Sequence, residues 1–337
     1  MSERPAIERV AVIGAGAWGT ALALVAARAG REVRLYGRDP ETVAAIGEEG
    51  RNPRYLGDIR LEPGLYATTD AAHALDGAQL VILSVPAQAT RASAGELAGL
   101  IAPGTPVVSA AKGLEHGTRA TMTDVIAAAM PNAVAGVLSG PSFAVDVARG
   151  LPTAVTVAAK DDALAEAIAR ALSSSTFRPY ASHDLIGVQV GGALKNVLAI
   201  ASGIVVGRGL GASAQAATTA RGFAELTRLA RALGAEAETL MGLSGLGDLV
   251  LTATSPQSRN FSLGVAIGAG GSIADLTRRG TKLAEGVHTA SVAVEFAASH
   301  GVELPITAAV ADVVAETIGV DGAIDRLMSR PLKREVG

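Results

Sequence analysis

The chain has 337 residues, a net charge of −3 at pH 7, five histidines and no cysteine. A chain of this length is expected to form about two domains with buried cores. Its scattered, nearly balanced charges argue against a nucleic-acid-binding protein, and the lack of cysteine excludes disulfides and thiolate metal sites. The histidines lie far apart and form no HExxH pair, so we expect no metal site.

The N-terminal segment, MSERPAIERV, carries charged residues along its length and leads directly into an apolar strand. A secretory signal peptide would have an uninterrupted apolar stretch instead. We therefore expect a cytoplasmic protein.

A glycine-rich turn follows the first predicted strand. Residues 9–13 (RVAVI) predict a buried strand, GAGAWG follows, and a helical segment ends at Gly30. Strand, glycine turn and helix form the context of a dinucleotide fingerprint. Gly14 permits the tight turn, Gly16 lets the main chain approach the pyrophosphate, and Gly19 lets helix and strand pack closely. The sequence predicts an NAD or NADP site; the alternative is a glycine-rich turn in an unrelated α/β protein.

The second predicted strand, residues 31–37, ends without the acidic residue that usually binds the adenosine ribose of NAD. Its end reads Gly37, Arg38, Asp39. Arg38 is suited to stack on adenine or to bind a 2′-phosphate, although a solvated loop arginine is the alternative. Asp39, one place later, keeps NAD possible, so the choice between NAD and NADP stays open.

Further strand-like segments follow, the first of them alternating with alanine-rich helical segments. They are residues 79–86, 105–113, 133–141, 151–159 and 177–182. This pattern predicts a mostly parallel, doubly wound sheet, which binds ligands beyond the carboxyl ends of its strands. Lys112 and the segment from Gly140 to Ser142 lie at such ends; the alternative for Lys112 is a surface lysine on a turn.

The segment from Asp184 to Arg208 contains one ionised side chain, Lys195, between its charged ends. It is a membrane span, a buried helix whose lysine reaches the surface, or a helix through the centre of a soluble protein. A charge in the middle of a span costs about 2.5–3.5 kcal/mol, which argues against the first. We favour the third, in which glycines such as Gly191 and Gly203 admit close backbone contact. Burial would then lower the pKa of the lysine.

Beyond Arg208 the strand pattern disappears. The helical segments there are residues 213–234, 285–301 and 305–319. We therefore predict an α/β protein with two domains. Residues 1–183 form a Rossmann-like, doubly wound sheet domain that binds the dinucleotide, and residues 184–337 form an all-α domain for substrate binding and catalysis.

Two segments in this second half are expected to be irregular. Residues 242–255 place Asp248 after two glycine turns, and residues 256–260 (PQSRN) place Arg259 at the start of a helical segment. A guanidinium group beside free helix amides suits a phosphate. The alternatives are a surface charge for Arg259 and an ordinary turn former for Asp248.

Taken together, eight segments resemble the NAD(P)-dependent glycerol-3-phosphate dehydrogenases in their bacterial form. They are GAGAWGTALA, the Lys112-Gly113 pair, SGPSFA, GLPTA, GVQVGGALKN, GLGDLVLT, SRN and AEGVHTA, in the order and approximate spacing of that family. The resemblance covers almost the whole chain and implies a Rossmann-like domain followed by a helical domain. It implies interconversion of dihydroxyacetone phosphate and sn-glycerol 3-phosphate with NAD or NADP, feeding phospholipid synthesis, by a homodimer.

The resemblance also implies roles for particular residues. The polar network around the substrate oxygen would contain the general acid or base Lys195 with Lys112, Asn196, Asp248 and Thr252. The residues around the substrate and its phosphate would include Arg259 and Asn260, with Gly140, Ser142 and Ser258 nearby. The cofactor would contact Gly14, Gly16, Ala17, Trp18, Gly19, Arg38, Lys112, Ala144, Arg259, Leu283 and Glu285. Without a metal, a positioned ammonium can deliver the proton that ketone reduction needs.

Two other functions remain open on the sequence. The β-hydroxyacid dehydrogenases share the two-domain arrangement and a lysine on the connecting helix. They have an asparagine four residues after that lysine, where this chain has Ala199. A non-catalytic NAD(P)H-binding sensor would keep the fold, but the retention of Lys195, Asp248 and Arg259 argues against it.

Overall fold

The structure, a computed structural model, describes residues 6–278, 284–332 and 334. Its strands are β1 (Arg9–Ile13), β2 (Glu32–Tyr36), β3 (Leu65–Thr68), β4 (Leu80–Leu83), β5 (Pro106–Ser109), β6 (Val134–Ser139), β7 (Thr153–Ala159) and β8 (Phe177–Ser182). Its helices up to the middle of the chain are α1 (Ala17–Arg28), α2 (Pro40–Glu49), α3 (Pro53–Leu56), α4 (Ala71–Leu75), α5 (Thr90–Leu97), α6 (Met122–Ala129), α7 (Ala144–Ala148), α8 (Asp162–Leu172) and α9 (Leu185–Gly207). The later helices are α10 (Ala212–Ala232), α11 (Ala237–Met241), α12 (Asp248–Thr254), α13 (Arg259–Gly268), α14 (Ile273–Arg278), α15 (Glu285–Ser299), α16 (Pro305–Val314) and α17 (Val320–Met328).

The strands form one eight-stranded sheet in the order β3-β2-β1-β4-β5-β6-β7-β8. Neighbouring strands run parallel except β6 and β7, which are antiparallel. The strand order reverses between β1 and β4, and ligands of doubly wound sheets bind at such a switch point. The predicted fold class is confirmed. The short strand β3 at the edge of the sheet was not predicted.

The central strands are buried because helices cover both faces of the sheet. Successive side chains of a strand point to opposite faces. Val10 and Val12 of β1 belong to a core cluster that includes most of α1 and α8, whereas Ala11 and Ile13 belong to a cluster with residues of α5 and α6. The carboxyl end of β1, where the glycine turn begins, is therefore held firmly in place.

The chain divides into two compact units, Met1–Gly192 with Ala235–Asp248, and Ala193–Gly234 with Leu249–Gly337. The sheet and the helices that cover it belong to the first unit. In the second unit the described residues form helices and their connections, with no strand.

Helix α9 continues from the first unit into the second. Among the residues that the structure describes, it is the one helix long and apolar enough to cross a membrane, and 89% of that window is buried inside the protein. Such burial is characteristic of a core helix. Asp184 caps the start of α9, since its Oδ1 accepts a hydrogen bond from the amide of Gly187 at 2.7 Å.

Glycines let the second half of α9 contact α13 through backbone atoms. A Cβ atom on Gly203 would lie 2.1 Å from the carbonyl oxygen of Phe261, and one on Gly264 would lie 2.2 Å from that of Ile200. No side chain fits at these distances, so only glycine permits this contact. The start of α13, which carries Arg259, is thereby fixed relative to this part of α9.

The prediction that residues 242–255 are irregular is wrong. Leu243–Gly247 form a π-helical turn and α12 follows directly at Asp248. A Cβ atom on Gly245 would lie 2.0 Å from the carbonyl oxygen of Leu240. The glycines in this segment therefore allow close backbone packing within consecutive helical turns. From the sequence we expected them to form open turns.

Candidate active site

The turn between β1 and α1 has the geometry that its glycines predict. Gly14 has a φ of +111°, and a Cβ atom there would lie 2.3 Å from the carbonyl oxygen of Ser84. A Cβ atom on Gly19 would lie 1.8 Å from the carbonyl oxygen of Gly14. Gly16, by contrast, has open space where a side chain would project. Two glycines thus allow close packing, and the third leaves the backbone accessible to a ligand.

The first turn of α1 is available to bind an anion. No side chain caps this helix, which begins at Ala17. Among the described residues, the buried Nε1 of Trp18 has no hydrogen-bond partner. Ala17, Trp18 and Ala144 of α7 all pack against the same core cluster. Uncapped helix amides beside an open glycine fit the pyrophosphate of a dinucleotide, so these residues fit NAD or NADP.

Asn52, which the sequence did not single out, holds this turn in place. Its side chain is fully buried, and its Nδ2 donates to the carbonyl oxygen of Ala15 at 3.0 Å and to Oγ1 of Thr20 at 2.8 Å. Because 37 residues separate Asn52 from Ala15, no local pattern revealed this contact. Arg38 lies exposed just beyond β2.

A second group of predicted site residues forms a cluster in the first unit. The Nζ of Lys112 donates to Oδ2 of Asp248 at 2.7 Å and to the carbonyl oxygen of Gly140 at 2.9 Å. The side chains of Lys112 and Asp248 are 13% and 1% exposed, which makes this a largely buried ion pair. Ser142 also donates to the carbonyl oxygen of Gly140, at 3.0 Å.

The segment that follows Lys112 is braced by residues that the sequence did not reveal. Arg91 of α5 forms two hydrogen bonds of 2.7 Å with the carboxylate of Glu115. The Arg91 guanidinium holds the pKa of Glu115 below its usual value. Gln88 donates to the carbonyl oxygen of Leu114 at 2.8 Å and accepts from the amide of His116 at 2.9 Å.

Lys195 lies in the second unit with only 7% of its surface exposed. Its Nζ donates to Oγ1 of Thr252 at 2.8 Å. The neighbouring Asn196 accepts a hydrogen bond from Nδ2 of Asn260 at 3.0 Å, and Oδ1 of Asn260 accepts one from the amide of Gly286 at 2.9 Å. This chain of hydrogen bonds connects α9, α13 and α15 within the second unit.

The predicted phosphate-binding segment lies at the start of α13. Ser258 is the N-cap, and its Oγ accepts a hydrogen bond from the amide of Phe261 at 3.2 Å. Arg259, the first residue of the helix, is exposed, whereas Asn260 is buried. An exposed guanidinium group at a helix N-terminus is a suitable arrangement for an anion.

Two predicted cofactor residues lie near the start of α15. Glu285 is its first residue and is partly buried. Leu283 lies outside the described residues. Among the residues that the structure does describe, no group of three or more histidine, aspartate or glutamate side chains could hold a metal ion.

The second unit also contains an open pocket of about 800 Å³, and none of the predicted site residues that the structure describes lines it. It lies at the ends of α9 and α13, where Arg208 forms an ion pair of 2.8 Å with Asp321. The pocket contains neither the buried lysines nor the glycine turn.

The sheet, the glycine turn and the buried lysine define a Rossmann-type NAD(P)-binding oxidoreductase. Two family models match the chain, the NAD-dependent glycerol-3-phosphate dehydrogenase N-terminus over residues 9–165 and the corresponding C-terminus over residues 184–325. The chain belongs to the NAD-dependent glycerol-3-phosphate dehydrogenase family, which confirms the resemblance inferred from the sequence.

Individual relatives agree with this assignment. The chain is 60% identical to a glycerol-3-phosphate dehydrogenase [NAD(P)+] of Azorhizobium caulinodans, over 98% of this chain and 99% of that protein. The crystal structure of a glycerol-3-phosphate dehydrogenase from Coxiella burnetii is similar with a TM-score of 0.91 and 37% identity, covering 97% of this chain and 100% of that one.

A structure from the rival class is less similar. The 3-hydroxyisobutyrate dehydrogenase of Salmonella typhimurium has a TM-score of 0.51 and 15% identity, covering 95% of this chain and 99% of that one. A likeness at this level reflects a common fold only.

Proposed function

We propose that this protein is an NAD(P)-dependent glycerol-3-phosphate dehydrogenase that interconverts dihydroxyacetone phosphate and sn-glycerol 3-phosphate. The observation that carries the proposal is the buried ammonium group of Lys195, held by Thr252 in a chain that belongs to this family. The phospholipid precursor sn-glycerol 3-phosphate is the product of the reductive direction, so we also propose a role in phospholipid synthesis.

The cofactor would be held mainly by the first unit. When bound, it supplies or accepts a hydride at the substrate carbon. The uncapped amides of α1 and the open backbone at Gly16 support pyrophosphate binding there. The residues that we assign to the cofactor are Gly14, Gly16, Ala17, Trp18, Gly19, Arg38, Lys112, Ala144, Arg259, Leu283 and Glu285.

Lys195 would give the proton to the substrate oxygen during reduction and take it back during oxidation. The hydrogen bond to Thr252 limits where the amine can point, and an ammonium group has three N–H donors in all. Proton delivery by a positioned group contributes roughly 10²- to 10⁴-fold in rate. Asn196, beside Lys195, is fixed by its hydrogen bond with Asn260.

Lys112 and Asp248 would supply a second, more rigid polar group. Their ion pair keeps the Lys112 ammonium beside the carbonyl oxygen of Gly140. A fixed positive charge of this kind stabilises negative charge that develops on a substrate oxygen. Asp248 is the first residue of α12.

The phosphate group of the substrate would bind at the start of α13. Arg259 is exposed there beside the first helix amides, and Asn260 is held by two hydrogen bonds. Ser258, which caps the helix, and Gly140 and Ser142 complete the set that we assign to the substrate. A β-hydroxyacid lacks a phosphate and would have no use for this arrangement.

The direct test follows NADH or NADPH oxidation at 340 nm with purified protein and dihydroxyacetone phosphate. We expect turnover with this substrate and none with 3-hydroxyisobutyrate in the oxidative direction. Turnover of 3-hydroxyisobutyrate without turnover of glycerol 3-phosphate would establish the rival dehydrogenase class. Coenzyme binding without turnover of either substrate would establish the non-catalytic sensor.

We further propose a functional division at residue 183, with residues 1–183 for the dinucleotide and 184–337 for the substrate, in a cytoplasmic homodimer. The separate matches of the two family models over residues 9–165 and 184–325 support the division. Light scattering of the purified protein tests the dimer, since a mass near 33.7 kDa would indicate a monomer.

A further inference from the structure

An ion pair just beyond β2 has no part in the functional assignments above. Asp39 lies between Arg38 and the start of α2. Its Oδ2 accepts a hydrogen bond from Oγ1 of Thr42 at 2.5 Å and another from Nη1 of Arg54 at 2.7 Å. The guanidinium group of Arg54, on α3, lies 5.5 Å from the ring centre of Tyr55.

This ion pair lies beside the glycine turn. The amide of Gly14 donates to the carbonyl oxygen of Tyr36 at 2.9 Å, and a Cβ atom on Gly37 would lie 2.8 Å from Cβ of Ala15. Asn52, the residue before α3, is bonded to the carbonyl oxygen of Ala15. Asp39 follows the end of β2 and Arg54 follows Asn52, and both of these segments contact the glycine turn. A Rossmann fold binds the adenosine ribose at the end of this second strand.

The charges at this position discriminate between the two coenzymes. A free carboxylate here would accept hydrogen bonds from the ribose hydroxyl groups of NADH and repel the 2′-phosphate of NADPH. The hydrogen bond from Thr42, followed by the influence of Arg54, lowers the pKa of Asp39, so this carboxylate is charged. Its Oδ2 accepts both hydrogen bonds, and the Arg54 guanidinium lies against that charge. Arg38 is exposed, with no partner among the residues described.

On the basis of the proposed dehydrogenase function, we propose that Arg54 sets the coenzyme preference of this enzyme in favour of NADPH. Arg54 holds Oδ2 of the Asp39 carboxylate and compensates its charge, which weakens both its hydrogen bonding to a ribose and its repulsion of a 2′-phosphate. Arg54 and Arg38 together provide two planar guanidinium groups that attract a 2′-phosphate. The single carboxylate of Asp39 is the one group here that repels it. Guanidinium groups bind phosphate oxygens through paired, charge-assisted hydrogen bonds.

The first test compares kcat/KM for NADPH and NADH in the wild type and in Arg54→Met, with saturating dihydroxyacetone phosphate. We expect the wild type to prefer NADPH. In Arg54→Met, kcat/KM for NADPH should fall by about tenfold or more, as for the loss of one charge-assisted hydrogen bond. The value for NADH should stay unchanged or rise, because Asp39 is released.

Arg51→Met is the matched control, because Arg51 is a nearby, partly buried arginine that pairs with Glu49 and Asp58 instead. It removes the same charge, and the ratio of the two kcat/KM values should stay as in the wild type. An equal fall for both coenzymes in Arg54→Met, or an unchanged ratio, overturns the proposal.

Asp39→Asn provides an independent test that retains Arg54. If Arg54 weakens the hydrogen bonding of Asp39 to the ribose, this variant should keep its kcat/KM for NADH and keep or improve that for NADPH. A selective loss of NADH turnover would show that Asp39 binds the ribose in the wild type, which contradicts the proposal.

Calorimetry separates this inference from the proposed function. Adenosine 2′,5′-bisphosphate should bind the wild type more tightly than 5′-AMP, and Arg54→Met, which keeps Arg38, should reduce that difference by about tenfold or more. If the wild type turns over neither coenzyme, the proposed function fails while this binding experiment still decides the role of Arg54. Equal binding of the two nucleotides by the wild type would overturn the role given to Arg54.

Discussion

The Nζ atom of Lys195 lies 2.8 Å from Oγ1 of Thr252, and both side chains are buried. An ammonium group in such surroundings needs acceptors, because an unpaired buried charge is strongly unfavourable. Thr252 supplies one acceptor and at the same time limits where the amine can point. The position of Lys195 is therefore determined by packing and hydrogen bonding, as its proposed role as a proton donor requires.

Lys195→Met should remove most of the activity while coenzyme binding persists. The substitution retains an unbranched chain but removes the proposed proton donor, so kcat should fall by roughly 10²- to 10⁴-fold. Steady-state assays at 340 nm and fluorescence titration with NADPH measure the two properties. Lys160→Met, at an exposed lysine of the first unit, is the control and should leave both unchanged. Normal turnover in Lys195→Met would refute the assigned role.

Lys112 and Asp248 should behave as a coupled pair in a double-mutant cycle. Asp248→Asn leaves the largely buried Lys112 without its charged partner Asp248, and such a loss destabilises a protein by about 3–5 kcal/mol. Adding Lys112→Met should recover part of this loss, with a coupling energy of about 0.5–3 kcal/mol. Urea unfolding of the four proteins measures it. Additive effects of the two substitutions would show that the pair contributes no mutual stabilisation.

Gly203→Ala and Gly322→Ala should change stability in opposite directions. A Cβ atom on Gly203 would lie 2.1 Å from the carbonyl oxygen of Phe261, so α13 must shift and the protein should lose about 1–3 kcal/mol. Gly322, within α17, has open space, and alanine there should stabilise by about 0.5–1 kcal/mol. Thermal unfolding measures both changes.

The same shift of α13 should weaken substrate binding, because α13 carries Arg259, the residue that we propose binds the substrate phosphate. The KM for dihydroxyacetone phosphate should rise more in Gly203→Ala than the KM for NADPH does. Equal stability of Gly203→Ala and the wild type would contradict the close contact between α9 and α13.

The stability of the second unit should depend on pH through Glu225. This carboxylate is 3% exposed and accepts hydrogen bonds from the amides of Ile306 and Thr307 at the start of α16. Burial raises its pKa above the ordinary value of 4.5, although these hydrogen bonds oppose the effect. The folded protein therefore binds this proton more tightly than the unfolded chain does. The stabilisation that protonated Glu225 contributes is complete below pH 4.5, and it is lost as the pH rises through the raised pKa of this carboxyl group.

Glu225→Gln removes this titration. The free energy of unfolding of the wild type, relative to Glu225→Gln, should decrease as the pH increases above 4.5. Urea unfolding across this pH range measures the difference. Thr307→Val removes a hydrogen bond that lowers the pKa of Glu225, so the decrease should extend to higher pH in that variant. A difference between wild type and Glu225→Gln that is independent of pH would contradict the expected titration.

Local patterns in the sequence predicted the strands around the glycine turn and the long helix α9. The turn was predictable because its local backbone geometry requires glycine, as the φ of +111° at Gly14 shows. The segment of residues 242–255 was predicted wrongly because its glycines are needed for packing against backbone from a neighbouring turn. Packing of this kind leaves no periodic signal in the sequence.

The contacts of Asn52 and Arg54 could not be predicted for a related reason. Asn52 bonds to Ala15 and Arg54 bonds to Asp39, in each case across more than a dozen residues of intervening chain. Asn52 precedes a proline, and Arg54 lies in a short helix. Residues of both kinds are common on protein surfaces without any long-range contact. Only the folded chain shows that both residues contact the segments around the glycine turn.

The sequence alone determined the fold class, the dinucleotide turn and the family, because these depend on short segments whose residue types are constrained by backbone geometry and chemistry. The tertiary structure decided which polar groups are partners. It paired Lys195 with Thr252, Lys112 with Asp248, and Asp39 with Arg54. Hydrogen bonds act over about 3 Å, and only the folding of distant segments against one another brings such atoms within that distance.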